Sequence, residues 1–306
     1  MTAPAAAYRG RFAPTPSGPL HLGSLLTALA SWLQARHHDG VWLLRIDDLD
    51  AARCPPGTDG LILRQLEAHG LTWDEPPLYQ SRRHDAYADA LDQLRRQATL
   101  YACDCTRRAL KARLATGPDD SIYDGHCRER ALAATPGHAL RLRVDAGTIT
   151  LDDAGLGPCR RDLQTDIGDF VVARGDGIPG YQLASVIDDR DLRIGEIVRG
   201  ADLLGSSIRQ RYLFDRMDWP APAFRHLPVL TGADGRKLSK QNHAAPLADD
   251  PAGIADSLWR CLNWLNQVPP PELRRAGVDT LLGWARLHWN AATIPRVQAL
   301  ALEPMP

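Results

Sequence analysis

The pattern of apolar and polar positions predicts alternating strands and helices in the first part of the chain. A short extended segment precedes a loop rich in proline and glycine, and leucines at helical spacing then continue to about His38. Residues 41–44 have the continuous apolar character of a buried strand, and two further helical segments follow at about 58–69 and 85–97. Strands that alternate with helices are typical of a parallel sheet, so we predict an α/β fold with a doubly wound parallel sheet.

The pattern changes in the middle of the chain. Alternating apolar residues from 140 to 151 surround an Asp-Ala-Gly turn and predict a β-hairpin. Short apolar runs at 170–173, 183–187 and 195–198 indicate a return to strands. Ser206 or Ser207 is suited to cap a helix that continues to Asp215.

These changes predict four regions, of which the last is helical. Two halves of the parallel-sheet domain are separated by an insertion of mixed character, and a small helical region follows the second half. The predicted bounds are 8–102 for the first half, 103–165 for the insertion, 166–245 for the second half and 246–306 for the helical region.

The composition is that of an ordinary globular protein, with 44% hydrophobic and 24% charged residues. The first ten residues lack the apolar core of a signal peptide, and no run of about 18 apolar residues predicts a membrane span. We therefore expect a soluble, cytoplasmic protein. The net charge of -1 gives no overall basic excess, although a local basic patch is enough to bind RNA.

The loop between the first strand and the first helix is the first candidate site. In an open α/β sheet, ligands bind beyond the carboxyl ends of the strands, and free amides at a helix N-terminus favour phosphate. Gly23 leaves room for a nucleotide there, and His21 can donate a hydrogen bond to phosphate oxygens. The alternative is a rigid turn with an incidental histidine, which a His-x-Gly pair alone would favour.

A second candidate is the pair Lys237 and Lys240, which follows a Gly-Ala-Asp-Gly turn. Two ammonium groups on a glycine-rich loop suit a triphosphate whose charge must be stabilised during displacement. A solvated basic turn is the alternative for this segment taken alone.

Together the two candidates resemble the His-Ile-Gly-His and Lys-Met-Ser-Lys-Ser motifs of class I aminoacyl-tRNA synthetases, here at 21–24 and 237–241. Four further segments are similar to glutamyl-tRNA synthetases, and the likeness covers about Arg11 to Asn242; they lie at 11–18, 45–50, 181–184 and 196–202. The resemblance implies a Rossmann catalytic domain that activates glutamate as its adenylate. It also implies that His21, Lys237 and Lys240 are catalytic.

The same resemblance implies the residues of two substrate sites. Those for ATP, which carries Mg²⁺, are His21, Gly23, Ser24, Lys237, Ser239 and Lys240. Those for glutamate are Arg11, Phe12, Ala13, Pro14, Thr15, Asp47, Tyr181 and Arg199. Arg11 and Arg199 each offer a carboxylate a two-pronged donor. Asp47 stands where the family usually has glutamate, so its contact with the substrate ammonium requires a shift or a water; a structural ion pair is the alternative for Asp47 and Arg199.

Three of the six cysteines are clustered at Cys103, Cys105 and Cys127. Structural zinc takes four ligands, and from the residues alone His126 would complete three thiolates. Three buried thiols without metal are the alternative. The family resemblance instead implies a structural zinc held by Cys103, Cys105, Tyr123 and Cys127, which leaves Tyr123 and His126 as competing fourth ligands.

The region after Asn242 is too short for the anticodon-binding part of a full glutamyl-tRNA synthetase. In this the chain resembles the glutamyl-queuosine tRNA(Asp) synthetase family, which attaches glutamate to the queuosine base in the anticodon of tRNA(Asp). The implied partners are ATP, L-glutamate and tRNA(Asp) bearing queuosine, and we expect a monomer. The alternatives are a compact synthetase that charges the tRNA 3′ end, a nucleotidyltransferase that uses no RNA, and an inactive tRNA-binding or zinc-sensing relative.

Overall fold

The structure is a computed structural model that describes residues 7–119, 121–232 and 245–302. Its first part is built on a parallel three-stranded ladder whose middle strand is Val41–Ile46. The elements, in chain order, are β1 (Arg9–Phe12), α1 (Leu22–His37), β2 (Val41–Ile46), α2 (Thr58–Ala68), β3 (Leu78–Tyr79) and α3 (His84–Arg96). The leucines of α1 are buried against Trp42 and Leu44 of β2, which is why their spacing predicted the helix.

The next part of the chain is mostly antiparallel. Its elements are β4 (Leu100–Cys103), α4 (Arg107–Arg113), β5 (Ala115–Thr116), β6 (Ser121–Ile122), β7 (Ala139–Leu142), β8 (Thr148–Asp153), β9 (Gly157–Asp162) and β10 (Phe170–Ala173). β7 is the central strand between β4 and β10, and β8 pairs with β9. The predicted hairpin of β7 with β8 is therefore wrong, because both edges of β7 are already occupied.

The antiparallel sheet takes β4 and β10 from just outside the predicted insertion, 103–165. The bounds of the four regions therefore remain predictions. The hairpin of β8 and β9 is joined to the second half of the parallel sheet, because β8 pairs in parallel with a later strand at Asp153 and Phe224.

The second half of the parallel sheet contains α5 (Tyr181–Asp191), β11 (Glu196–Gly200), α6 (Leu204–Arg216), β12 (Ala223–Leu227) and β13 (Val229–Thr231). β11 and β12 are parallel, with Arg199 opposite His226. Gly195 donates its N–H to the carbonyl of Arg9 at 2.9 Å, so β11 adjoins β1 and the two ladders meet there. This confirms the predicted α/β fold with a parallel sheet.

Two predictions for this part of the chain are wrong. Residues 183–187 are not a strand but the middle of α5, because a short apolar run cannot distinguish a strand from a helix that is buried on every side. Ser206 and Ser207 do not cap α6, which begins earlier, at Leu204. Ser207 instead has the buried polar contacts described below.

The last part of the described chain packs against the first. α7 (Pro251–Trp264) and α8 (Val278–His288) confirm the predicted helices, and Leu258 and Cys261 of α7 share a core with the leucines of α1. Asp250 caps α7 by accepting from Gly253 N at 3.0 Å, and Pro251 occupies the first turn. β14 (Ala299–Ala301), which the sequence pattern did not predict, pairs with β13. No helix in the described ranges is long and apolar enough to cross a membrane.

Candidate active site

A cavity of about 360 Å³ lies where β1 and β11 end and α1 begins. This is the position at which open α/β sheets bind ligands. Its walls contain most of the residues that the sequence predicted for the two substrate sites: Arg11, Phe12, Ala13, Pro14, Thr15, His21, Gly23, Ser24, Tyr181 and Arg199. Residues far apart in the sequence are thus brought to one cavity. The loop after β1 is anchored by Pro14, whose carbonyl accepts from Asp47 N at 3.0 Å.

His21 is the N-cap of α1 and has extended backbone angles. Its Nδ1 accepts a hydrogen bond from Ser24 N at 3.3 Å, which satisfies one of the amides at the start of the helix. In the neutral ring the proton then lies on Nε2. The first turn of α1 contains no acidic residue, so no side chain there neutralises the positive end of the helix dipole. A ligand in the cavity can therefore interact with this positive end and with the Nε2 proton of His21.

The cavity wall formed by Arg11 and Arg45 rests on one carboxylate. Asp189 of α5 accepts from Arg11 Nε at 3.0 Å and from Arg45 NH1 at 2.8 Å, and all three side chains are buried. Burial opposes ionisation, but the two guanidinium groups hold the pKa of Asp189 below its usual value. Asp189 therefore fixes both arginines and offsets part of their charge.

Asp47 is held by Arg45 and is not part of the cavity wall. Its carboxylate accepts from Arg45 Nε at 2.6 Å and from NH2 at 3.3 Å. Burial raises the pKa of Asp47, against the opposing effect of the Arg45 charge. The structure thus pairs Asp47 with a neighbour two positions away, as in the ion-pair alternative, and it brings Arg45 rather than Asp47 to the cavity.

Arg199 is held differently from Arg11. Its Nε and NH2 donate to the hydroxyl of Ser207 at 3.0 and 2.5 Å, and burial lowers its pKa. The third guanidinium nitrogen, NH1, is buried and has no hydrogen-bond partner among the described residues. A buried cationic donor that lacks a partner fits a carboxylate ligand in the cavity.

Lys237, Ser239 and Lys240 lie outside the described residues, so their predicted roles remain predictions. The described chain reaches the cavity shortly before them, because Val229 and Leu230 of β13 are part of its wall.

The clustered cysteines form a separate site in the antiparallel part of the protein. The Sγ atoms of Cys103, Cys105 and Cys127 lie within 4.8 Å of one another. The hydroxyl of Tyr123 is 3.5 Å from Cys105 Sγ and 3.7 Å from Cys103 Sγ. Three thiols and a phenol at this separation could hold a single zinc ion.

The surroundings favour the thiolate form at Cys103 but not at Cys105, where burial raises the pKa to about 11. The guanidinium of Arg141 lies 3.7 Å above the centre of the Tyr123 ring. Although burial opposes ionisation, hydrogen bonds from Arg141 and neighbouring groups hold the pKa of Cys103 below its usual value. His126 is exposed and lies outside the thiol group, and its backbone N–H donates to Asp124. The geometry thus brings Tyr123, and not His126, to the cysteines.

Comparison with known proteins identifies the family of the chain. Residues 7–251 match the family model described as "tRNA synthetases class I (E and Q), catalytic domain". The chain belongs to this family.

Relatives of this synthetase family match almost the whole chain. A protein from Chromobacterium violaceum named "Glutamyl-Q tRNA(Asp) synthetase" is 47% identical over 95% of this chain and 96% of its own length. One of the same name from Aromatoleum aromaticum is 46% identical over 94% of this chain and 91% of its own length. The solved structure of a glutamate-tRNA synthetase from Elizabethkingia anophelis has a TM-score of 0.80 and 25% identity, covering 97% of this chain and 68% of that one.

Among the residues that sequence reasoning missed are Arg45 in the wall of this synthetase-type cavity, and Asp189 and Ser207, which contact the arginines of that wall. A signal for Asp189 was present, since two aspartates end the apolar run of α5 and an acid within a buried helix needs a cationic partner. Arg45 lies two positions before Asp47, and of the two only Asp47 was predicted to contact the substrate. The sequence marked Ser207 only as a possible helix cap, because its contacts with Arg199 and His226 depend on how β11 and β12 pack against α6.

Proposed function

We propose that the protein uses ATP to convert glutamate to its adenylate and transfers the glutamate to the queuosine base in the anticodon of tRNA(Asp). One observation carries the proposal: a single cavity combines the buried guanidinium of Arg199 with His21 and the N-terminus of α1. The guanidinium of Arg199 suits a carboxylate, and His21 together with the N-terminus of α1 suits a phosphate. The names of the near-full-length relatives support glutamate and queuosine as the substrates.

The amino acid would bind at the end of the cavity that contains Arg11, Tyr181 and Arg199. The unpartnered NH1 of Arg199 would donate to one carboxylate of glutamate, and Tyr181 would add a hydrogen bond. A glutamine side chain offers an amide to the same position and forms a weaker, uncharged contact. For this reason glutamate is the proposed substrate. Asp47, paired with Arg45, would orient the substrate ammonium through a water or after a shift.

The first reaction would be an in-line attack of the glutamate α-carboxylate on the α-phosphorus of ATP, with pyrophosphate as the leaving group. A carboxylate is ionised at neutral pH, so this step needs no general base. Positioning and charge stabilisation then supply the rate enhancement. His21 Nε2–H and the amides of the first turn at Gly23 and Ser24 would donate to phosphate oxygens, with Lys237 and Lys240 adding positive charge. Mg²⁺ bound to ATP would neutralise phosphate charge.

In the second reaction a hydroxyl of the cyclopentenediol ring of queuosine would attack the carbonyl carbon of the adenylate. The new ester bond forms as the bond between the carbonyl carbon and the phosphate oxygen breaks, AMP leaves with the electron pair, and the proton of the hydroxyl passes to solvent. The cavity walls would hold the carbonyl, and no described side chain is assigned as the base for this step.

We further propose that Cys103, Cys105, Tyr123 and Cys127 hold one structural zinc ion. Zinc would supply a cross-link between the end of β4 and the turn after β6. The separation of the three sulfur atoms and the buried Tyr123 hydroxyl support this ligand set. The protein would act as a monomer in the cytoplasm. Its structural units would be the four regions predicted from the sequence.

An ATP–pyrophosphate exchange assay tests the activation step. The purified protein is incubated with labelled pyrophosphate, ATP and, separately, glutamate, glutamine or aspartate. The proposal predicts exchange with glutamate and at least tenfold less with the other two, because each lacks a correctly placed second carboxylate. Exchange that is equal for glutamate and glutamine would contradict the proposed substrate.

Transfer to the 3′ end of a tRNA is the second candidate, since the structural neighbours are glutamate-tRNA synthetases. It shares the activation step, so only the position of the label on the tRNA separates the two functions. The relatives named for queuosine favour the anticodon, because they match the chain over more than nine-tenths of their own lengths.

A further inference from the structure

We propose that Asp153, His226 and Ser207 form a hydrogen-bond chain that positions Arg199 for a substrate carboxylate without neutralising its charge. This inference rests on the proposed function, because it concerns the arginine that would bind glutamate. None of the three residues was predicted from the sequence to take part in the site. They would be positioning residues, since they contact Arg199 and not the substrate.

The hydrogen-bond chain from Asp153 to Arg199 is continuous, and all of its side chains are buried. Asp153 Oδ2 lies 2.6 Å from His226 Nδ1, and His226 Nε2 lies 2.6 Å from the hydroxyl of Ser207. The Ser207 hydroxyl is in turn within 3.0 Å of both Nε and NH2 of Arg199. The fold brings the members together, because Arg199 and His226 are opposite each other on the parallel strands β11 and β12.

The number of donors and acceptors fixes where each proton lies. The Ser207 oxygen has two lone pairs, and the two N–H groups of Arg199 occupy both. Its own proton must then be donated to one of two acceptors, His226 Nε2 at 2.6 Å or the Leu203 carbonyl oxygen at 3.0 Å. His226 Nε2 cannot donate to an oxygen whose lone pairs are both occupied, so the 2.6 Å contact assigns the proton to His226. This requires a neutral His226 ring with its proton on Nδ1, where Asp153 accepts it.

The surroundings favour these protonation states. Burial, together with the nearby charge of Arg199, lowers the pKa of His226, which keeps the ring neutral. Burial opposes ionisation of Asp153, but hydrogen bonds from His226 and from backbone amides hold the pKa of Asp153 below its usual value. Asp153 therefore stays a carboxylate that accepts from His226.

A comparison of Arg199 with Arg11 shows how the hydrogen-bond chain affects the charge of Arg199. Arg11 is held by direct contact with a carboxylate, Asp189, which offsets its charge. Arg199 is held by a neutral hydroxyl, and Asp153, the carboxylate of this hydrogen-bond chain, is two groups away. The guanidinium is thus oriented while its charge remains available, and its NH1 has no partner among the described residues. A charge-assisted hydrogen bond to a substrate carboxylate is stronger for that reason.

The substitution Asp153→Asn tests the chain without removing its packing. Asp153 Oδ1 accepts the backbone N–H groups of Gly155, Leu156 and His226, so the amide oxygen of asparagine would take that position. The amide NH₂ would then face His226 Nδ1 and force the ring proton to Nε2. Ser207 would receive a donor from His226 and lose one of its two bonds to Arg199.

The assay is glutamate-dependent ATP–pyrophosphate exchange by the native enzyme and its variants. Loss of one hydrogen bond to a charged group predicts a rise of about 10- to 100-fold in the KM for glutamate, with the KM for ATP unchanged. Ser207→Ala, which removes the acceptor of both bonds, should raise the KM for glutamate at least as much. Asp162→Asn is the matched control, because Asp162 also accepts backbone N–H groups, of Gln164 and Thr165, but lies outside the cavity wall.

A direct measurement keeps the inference testable if the variants fold poorly. The ¹⁵N chemical shifts of the His226 imidazole in the native protein distinguish the Nδ1–H tautomer, the Nε2–H tautomer and the imidazolium. The inference predicts Nδ1–H, and either of the other two forms would overturn it. It would also be overturned if folded Asp153→Asn kept the native KM for glutamate. Absence of glutamate-dependent exchange in the native enzyme would instead refute the proposed function, and this inference with it.

Discussion

Replacing Asp189 with asparagine removes the carboxylate that two buried guanidinium groups share. In the native protein Asp189 binds Arg11 Nε at 3.0 Å and Arg45 NH1 at 2.8 Å, and its side chain is 1% exposed. The substitution leaves a neutral amide between two largely buried cations, of which Arg45 keeps Asp47 as a partner. Removing one partner of a buried ion pair costs about 3 to 5 kcal/mol, and we expect a loss of that size in the free energy of unfolding.

The neighbouring residue Asp188 provides a matched control on the same helix. Asp188 is equally buried, but Arg83 is its only close cationic partner among the described residues, since Arg45 is 3.8 Å away and its other contacts are the neutral groups of Gln80 and Tyr87. Burial raises the pKa of Asp188, so its charged form is disfavoured in the native protein. Asp188→Asn should therefore cost less than Asp189→Asn, about 1 to 2 kcal/mol.

The assay is urea unfolding at pH 7, followed by tryptophan fluorescence and by circular dichroism so that the two transitions can be compared. The pH dependence gives a second readout. Because the pKa of Asp189 is lower in the folded protein than the value of about 3.9 in the unfolded chain, its stabilising effect is complete above that value. The difference between native protein and Asp189→Asn should thus be constant from pH 7 to about pH 4 and shrink below it.

Two results would refute this reasoning about Asp189. One is a loss of less than about 1 kcal/mol for Asp189→Asn, which would mean that the two arginines do not depend on its charge. The other is an equal loss for Asp188→Asn, which would mean that burial of a carboxylate, and not close contact with both Arg11 and Arg45, decides the effect.

Three further predictions address the chemistry of the two sites. His21→Asn keeps a good helix cap but removes Nε2–H, so the kcat of exchange should fall about 10²- to 10³-fold at an unchanged melting temperature; an unchanged kcat would exclude His21 from the reaction. Lys237→Arg keeps the charge but not the compact ammonium, so exchange should fall about tenfold, and full activity would show that any cation suffices. Metal analysis should find one zinc ion per native chain and less in Cys105→Ser, with Cys159→Ser as the unaffected control; equal zinc in both variants would contradict the ligand set.

The sequence pattern predicted those elements whose partners are set by their own periodicity. α1 was predicted because its leucines recur at helical spacing, and β2 because its apolar run is bounded by a turn. The pairing of β7 was not predictable in this way. Its neighbours β4 and β10 lie far from it in the sequence, and local alternation of residues 140–151 favoured a hairpin that does not form.

In the candidate site, too, local features were predictable from the sequence and contacts between distant residues were not. His21 and Gly23 lie within one short motif, so the sequence alone placed them together at a helix N-terminus. The contact of Arg11 with Asp189 joins positions 178 residues apart, and nothing local connects them. Such pairings are fixed by the arrangement of the parallel strands and α5, which becomes visible only when the fold is known.

The position of labelled glutamate on the tRNA tests the central claim most directly. The native enzyme is incubated with ATP, labelled glutamate and tRNA(Asp) prepared with or without queuosine, and nuclease digestion then locates the label. The account predicts label in the anticodon fragment, and only when queuosine is present. Label at the 3′ end, or equal labelling of the two tRNA preparations, would contradict it.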